Sequence, residues 1–213
     1  MKTLMICVQS FVLLLATVAD GSAGEARFQH LNVGERSRLA SPDGVWQLAV
    51  SPAYPMSDRG GTPVVVRRRG ASKANVLLVL HRDAFVYWGR NRLLIVDAPY
   101  ADYTRVHLFQ LQPTGRVTPL AGKPDLDTSI GDRFKATLRR ADQIVFYYPW
   151  VASWTGSRLL LTLGVTTVQG STGPMTPHCY RITVDSRTGA ITGMEKGRLL
   201  DGGDDTACKL SPP

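Results

Sequence analysis

Short runs rich in Val, Leu, Ile, Phe and Tyr recur along this chain, with turn-forming residues between them. The runs lie at residues 45–50, 63–69, 76–81, 92–97, 105–110, 143–148, 157–163 and 180–185. Turn sequences such as SPDG at 41–44 and QPTG at 112–115 separate them. Short β-rich runs joined by Gly- and Pro-containing turns are typical of hairpins. The sequence therefore predicts an all-β, mainly antiparallel fold.

One segment departs from this pattern. Residues 129–141 (SIGDRFKATLRRA) place Ile130, Phe134 and Leu138 at four-residue spacing. The segment starts acidic and ends basic, which suits the helix dipole. We expect one short helix here, covering an edge or an end of the sheets.

The hairpins resemble one another. WGRNRLL at 88–94 is similar to WTGSRLL at 154–160, 66 residues later, and each is followed by a second strand and a Gly turn. The segment SPDGVWQLAV at 41–50 fits the opening strand of the same unit. Repetition of one supersecondary unit indicates a propeller or a related array.

The SPDG turn followed by WQLAV at 46–50 resembles the opening of a TolB-type (WD40-like) β-propeller repeat. Three blade-like units fit between residues 38 and 195, and the first alone has the diagnostic turn. The resemblance implies a small or irregular β-propeller-like array of hairpins. A β-sandwich is the alternative, because complete propellers have four or more four-stranded blades. The resemblance also implies a platform that binds other proteins.

The N-terminal residues are typical of a secretory signal peptide: Lys2, an apolar run at 4–19, and small residues up to Ala23. We expect cleavage after Ala23, with Ala19 as the second choice, which leaves a single β-rich domain at 24–213. The apolar run is shorter than the ~20 residues that a bilayer-spanning helix needs. The sequence thus predicts a periplasmic or secreted protein with no membrane span.

Cysteine placement fits an exported protein. Cys7 lies in the signal peptide, so Cys179 and Cys208 remain. In an oxidising compartment this pair predicts one disulfide that ties the C-terminal tail to the domain. Closing a loop of about 30 residues stabilises by roughly 3.5 kcal/mol on the chain-entropy estimate.

The chain is basic, with a formal net charge of +8. Arginine dominates, at 67–69, at 90 and 92, and at 139–140. Outside the cytoplasm the natural counterparts are an anionic envelope polymer, phospholipid headgroups or an acidic protein, so we expect no nucleic acid partner. A solvated face remains the simpler interpretation of scattered arginines.

Catalytic motifs are sparse: the four histidines are isolated, and no phosphate-binding loop or nucleophile elbow is present. We therefore expect no metal and no cofactor. Asp97 and Asp102 flank a loop with tyrosines that could stack on a sugar while the acids do acid–base work. A strand end and a turn cap are the simpler roles for them. Two further acidic groups lack the spacing of a calcium loop: Asp125, Asp127 and Asp132, and Asp201, Asp204 and Asp205.

Large rings concentrate at 146–150 (FYYPW), and two more lie near the Asp97–Asp102 loop. Rings paired with arginine are the usual anchors of protein interfaces. Three tryptophans recur at comparable places in the repeat and are expected in the core: Trp46, Trp88 and Trp154. The predicted binding surface consists of Tyr100, Tyr103, Arg105, Tyr148 and Trp150.

These features together predict an exported, non-catalytic binding protein that recognises a protein partner. One version is an inhibitor or immunity protein that plugs the active site of a secreted or envelope-attacking enzyme. The alternative is a secreted hydrolase that acts on a cell-wall or polysaccharide substrate through Asp97 and Asp102.

Overall fold

The computed structural model describes residues 28–33, 37–50, 61–100, 103–120, 125–170 and 172–197. It is mainly β, with antiparallel pairing dominant and one short helix, which confirms the predicted fold class. The predicted signal peptide and Cys208 lie outside the described residues. Within those ranges no helix has the length and apolar character required to cross a bilayer.

The first described strand is short, β1 (Gln29–Leu31), and a four-stranded antiparallel sheet follows it. The strands of this sheet are β2 (Arg38–Ala40), β3 (Trp46–Val50), β4 (Thr62–Arg68) and β5 (Asn75–Leu80), paired in chain order. We call this sheet the first meander.

The second meander consists of β6 (Ala84–Gly89), β7 (Arg92–Tyr100), β8 (Tyr103–Leu111) and β9 (Val117–Pro119). These strands also pair antiparallel in chain order, and β1 adds to the free side of β6. The second meander thus has the same up-and-down connectivity as the first.

The third meander follows the helix α1 (Leu126–Lys135). Its strands are β10 (Asp142–Thr155), β11 (Arg158–Gln169), β12 (Met175–Asp185) and β13 (Ala190–Lys196), again antiparallel in chain order. One parallel pair, Tyr103 with Tyr147, connects β8 to β10 and so joins the second and third meanders into one sheet.

Strand β7 lies between the two hydrophobic cores. Its run from Leu93 to Val96 is at most 1% exposed, as expected for a strand covered on both faces. Leu93 and Ile95 pack with the first meander, whereas Leu94 and Val96 pack with the third meander and α1. Side chains alternate between faces along a strand, so one apolar run supplies both cores.

The SPDG turn orders the start of β3. Ser41 Oγ accepts a hydrogen bond from the Trp46 amide at 2.9 Å, and Asp43 Oδ1 accepts one from Val45 at 3.0 Å. Gly44 has a φ of +68°, which favours glycine because it lacks a Cβ. The turn therefore fixes the direction in which Trp46, 4% exposed, enters the core.

The predicted helix boundaries at 129 and 141 were wrong. Helix α1 begins earlier because the Asp125 side chain caps it, accepting the Thr128 amide at 2.8 Å. It ends earlier because Thr137 Oγ1 donates to the Phe134 carbonyl at 2.7 Å, just beyond the last turn. Leu138 still packs against the core, which explains why the apolar spacing extended past the helix.

Of the three tryptophans expected in the core, Trp46 is buried there, and the other two are half-buried at the core margins. The Trp88 indole donates to Gln29 Oε1 at 2.7 Å, and the Trp154 indole donates to Ser186 Oγ at 3.2 Å. A Cβ on Gly89 would lie 2.6 Å from the Trp154 ring. The absence of a side chain at Gly89 therefore allows Trp154 of the third meander to pack against the second meander.

We predict that Gly89→Ala lowers the free energy of unfolding by about 1–3 kcal/mol, because the new methyl group overlaps the Trp154 ring. Gly131→Ala is the matched control: it lies inside α1 with open space around its would-be Cβ. The control should raise the free energy of unfolding by about 0.5–1 kcal/mol. Urea unfolding of both variants measures this, and equal stability of Gly89→Ala and wild type would contradict the seating of Trp154.

Candidate functional site

A polar cluster lies where β7 ends and β8 begins. Asp97 and Arg105 are cross-strand partners, and His107 lies two residues further along the same face of β8. One Asp97 oxygen accepts from an Arg105 terminal nitrogen at 2.6 Å, and the other lies 2.8 Å from His107 Nε2. Antiparallel register therefore places an arginine and a histidine side chain on one carboxylate.

Asp97 is 1% exposed, so its charge depends on these neighbours. Burial alone would raise the pKa of this carboxyl, but the hydrogen bonds from His107 and Arg105 outweigh burial and hold the pKa below its ordinary value. Arg105 retains 34% side-chain exposure, and its buried Nε has no hydrogen-bond partner among the described residues. The arginine thus anchors Asp97 and keeps a spare donor.

Asp127 occupies a second, contrasting environment at the start of α1. Its carboxylate accepts from the Tyr103 hydroxyl at 2.5 Å and from the Val106 amide at 3.3 Å. Burial nevertheless raises the pKa of Asp127 above its ordinary value. This carboxyl consequently holds its proton to a higher pH than an exposed aspartate.

Two stacked tyrosines connect Asp127 to β10. The rings of Tyr103 and Tyr147 lie 5.1 Å apart at 20°, on the residues that form the parallel pair between β8 and β10. Burial raises the pKa of both phenols, so each hydroxyl remains a proton donor at neutral pH. The stack therefore forms a rigid wall beside the buried acid.

A cavity of about 350 Å³ opens beside this wall. Its lining combines acidic, basic, aromatic and small groups from α1, β8 and β10: Tyr103, Asp127, Thr128, Gly131, Asp132, Lys135, Ile144 and Tyr147. In the sequence, Asp127 belongs to a group of acids that lack calcium-loop spacing, and its place in the cavity wall was not predicted. The available clue was helical spacing, since positions 127, 131 and 135 flank the buried stripe of α1.

Aromatic side chains form a separate patch on the flank of the second and third meanders. Phe85 is central: its ring lies 5.0 Å from Trp150, 5.1 Å from Phe28 and 5.5 Å from His30. Phe28 is 56% exposed, and Trp150 is partly exposed. We call these four residues the aromatic patch.

Strand β10 brings the predicted ring Tyr148 to the neighbourhood of the patch. The ring of Tyr148 stacks on the ring of Phe146, with 6.2 Å between their centroids. Tyr148 lies two residues before Trp150, on the same face of β10. On one side β10 pairs with β11 from end to end. On its other side, from Trp150 to Thr155, no described strand pairs with it.

The structure thus divides the predicted site residues into two groups. Tyr103, Arg105 and Asp97 lie in or beside the polar cluster, whereas Tyr148 and Trp150 lie along β10. Tyr100 ends β7 and its backbone pairs with Tyr103, but its side chain lies outside the described part of the chain. Asp102 also lies outside it.

Two further predictions concern metals and the disulfide. In the described ranges no three His, Cys, Asp or Glu side chains form a group that could hold a metal ion. Asp125 is the cap of α1 and Asp127 a buried acceptor, so these two have other roles. Cys179 is 1% exposed on β12, and because Cys208 is not described the disulfide stays a prediction.

Comparison with protein-family models, curated proteins and solved structures finds no match for this chain.

We predict that Asp97→Asn lowers the free energy of unfolding at neutral pH by about 2–3 kcal/mol, because Arg105 and His107 lose their shared anion. Partial solvation of Arg105 keeps the loss below that of a fully buried pair. Because the folded-state pKa of Asp97 lies below the ordinary 3.8, its contribution is present above pH 3.8 and is lost as the pH falls through the folded value. Denaturant unfolding across the acid range should show the two proteins converging.

The matched control is Asp185→Asn, which removes a half-buried carboxylate paired with the exposed Arg187 on a turn. At neutral pH its effect on stability should be much smaller than that of Asp97→Asn. Equal effects from the two substitutions would show that the polar cluster is not a stabilising unit.

Proposed function

We propose that this chain is an exported, non-catalytic binding protein that recognises a protein partner in the periplasm or outside the cell. The aromatic patch is the main support for this proposal. Phe28, 56% exposed and packed edge-on against Phe85, is part of a contiguous group of rings, and contiguous apolar patches mark interaction sites. Trp150 from a different meander supports the same cluster at 5.0 Å from Phe85.

Rigidity makes these rings suitable anchors. Each ring in the patch contacts another ring, so little side-chain entropy remains to be lost when a partner covers them. Aromatic residues in such positions dominate the binding energy of many interfaces. Tyr148 lies on β10 two residues before Trp150, whereas Tyr103 and Arg105 belong to the polar cluster and form a second part of the proposed binding surface.

From Trp150 to Thr155, β10 has one described strand partner, β11, and its other side adds a backbone component to the proposal. A strand of a partner can pair with an exposed sheet edge, where main-chain hydrogen bonds give affinity and neighbouring side chains give specificity. We therefore propose that the partner segment runs along residues 150–155, next to the aromatic patch.

The wider setting of the proposal follows the sequence. A signal peptide at 1–23 exports the chain, and a Cys179–Cys208 disulfide holds its tail. The resemblance of the SPDG turn to a TolB-type repeat belongs to the same proposal, because it implies a binding platform. An inhibitor or immunity protein that plugs an enzyme's active site is the version in which Arg105 and the tyrosines meet the partner's active-site groups.

We predict that Trp150→Ala and Phe28→Ala each weaken capture of the partner at least tenfold, since truncating an anchor ring costs about 1.4 kcal/mol or more. The bait is the protein purified after expression of the full chain, and the sample is the secreted and envelope protein fraction of its source cells. Affinity for the stoichiometric partner is then measured by calorimetry.

Met175→Ala is the matched control, because Met175 is 62% exposed but lies outside the patch. It should bind like wild type. Thermal unfolding confirms that all three variants are folded. Unchanged affinity in both aromatic variants would refute recognition through the patch.

A second candidate, a secreted hydrolase of cell-wall or polysaccharide substrates, has support from the two carboxyls. Environments that push two pKa values apart are typical of acid–base pairs. Asp127, with a raised pKa, lines a cavity of about 350 Å³, and Asp97 has a lowered pKa nearby. In this version Asp127 takes the acid role beside the originally predicted Asp97 and Asp102.

We predict for this candidate that Asp127→Asn abolishes turnover of the responsive member of a glycan panel, because the amide cannot release a proton. Asp185→Asn, on a distant turn, should retain wild-type turnover. Wild-type protein without activity on the whole panel would reject the hydrolase candidate and leave the binding proposal standing.

A further inference from the structure

Tight turns from all three meanders meet at the end of the molecule opposite the polar cluster. The Asn75 side chain donates to the Gly115 carbonyl at 2.9 Å, which joins the first meander to the β8–β9 turn. Arg92 donates to the Ser186 carbonyl at 3.0 Å, joining the β6–β7 turn to the β12–β13 turn. Ser186 in turn donates its amide to Ser157 at 2.8 Å. We call this region the turn end.

Cations are concentrated there. Seven of them are exposed and one, Arg92, is half-buried. They come from five turns: Arg68, Arg69, Lys73, Arg90, Arg92, Arg116, Arg158 and Arg187.

Carboxylates are scarce at the turn end. Among the described residues it contains Asp43, held by Ser41 and Val45, and Asp185, paired with Arg187 at 2.8 Å. Of its cations, Arg187 alone has a described carboxylate within ion-pair distance. The acids lie toward the opposite end: Asp83, Asp97, Asp125, Asp127, Asp132 and Asp142.

We propose that the turn end binds a linear polyanion whose repeating groups are phosphates or carboxylates. Packed sheets are about 10 Å apart, so three meanders spread these cations over roughly 20 Å, too far for one small anion to contact. Guanidinium groups match phosphate and carboxylate oxygens in bidentate geometry, and seven of the eight cations are arginine. The surface therefore fits a chain of anions that crosses successive turns.

Hydrophobic exposure favours a soluble polymer over a lipid bilayer. Peripheral membrane surfaces usually insert apolar side chains among their cations. Of the large hydrophobic residues that are exposed in the described ranges, Val76 alone lies near the turn end, on β5. Binding should thus depend on charge and fall steeply with salt.

The test uses protein purified after expression of the full chain and four probes of stated composition. The probes are polyphosphate, polygalacturonate, phosphatidylglycerol vesicles and duplex DNA. The triple variant Arg90→Gln/Arg116→Gln/Arg158→Gln removes three exposed turn cations. The control Arg82→Gln/Arg139→Gln/Arg140→Gln removes three exposed cations elsewhere and gives the same net charge.

We expect salt-sensitive binding of polyphosphate or polygalacturonate that the turn-end triple weakens at least about tenfold and the control leaves within about twofold. The more tightly bound of these two probes identifies the anion. Equal losses in both triples would overturn the proposal, since net charge alone would explain binding. Binding only to vesicles, only to duplex DNA, or to none of the probes would also overturn it.

Discussion

Packing on both faces of β7 is the interaction on which the rest of the structure depends. Its four apolar residues, Leu93 to Val96, are shared between two cores, so the second meander holds the first and third in place. Hydrogen bonds between the meanders are few. The described backbone joins the second and third meanders at one strand pair, Tyr103 with Tyr147, and side-chain hydrogen bonds such as Arg92 to Ser186 add to the attachment that side-chain burial supplies. Both the buried acid and the aromatic patch lie along this shared boundary.

Sequence patterns gave the strand-rich class and most hairpins because alternation and turn chemistry are local properties. Strands β10 and β11 are much longer than the predicted runs at 143–148 and 157–163. Bulges between Ile144 and Phe146 and between Val151 and Ser153 interrupt the alternation of β10, which hides its continuity. Strands β9 and β13 carry too little apolar signal to stand out. The Asp125 cap was missed although Leu126 extends the four-residue spacing of Ile130 and Phe134 back to it.

The candidate site was less predictable than the fold. Tyr103, Arg105 and Asp97 were singled out, but the sequence contains no indication that His107 completes the Asp97 cluster, since that depends on the register of β7 against β8. The contact of Asp127 with Tyr103 joins residues 24 positions apart on different elements. The contact between Phe28 and Phe85 arises because β1 pairs with β6, and the sequence does not predict this pairing. Register and packing between elements are tertiary properties that local patterns do not contain.

Segregation of charge along the strand direction has a consequence for motion in solution. Eight cations face two described carboxylates at the turn end, whereas Arg82, Arg139 and Arg140 are among the cations that offset the aspartates of the opposite end, so the described positive charge is displaced toward one arginine pole. In the field of an anionic surface such a body rotates before it arrives, so that collisions occur with the arginine pole leading. The opposite pole then faces away from the surface. Lowering the ionic strength lengthens the distance over which the field aligns the molecule.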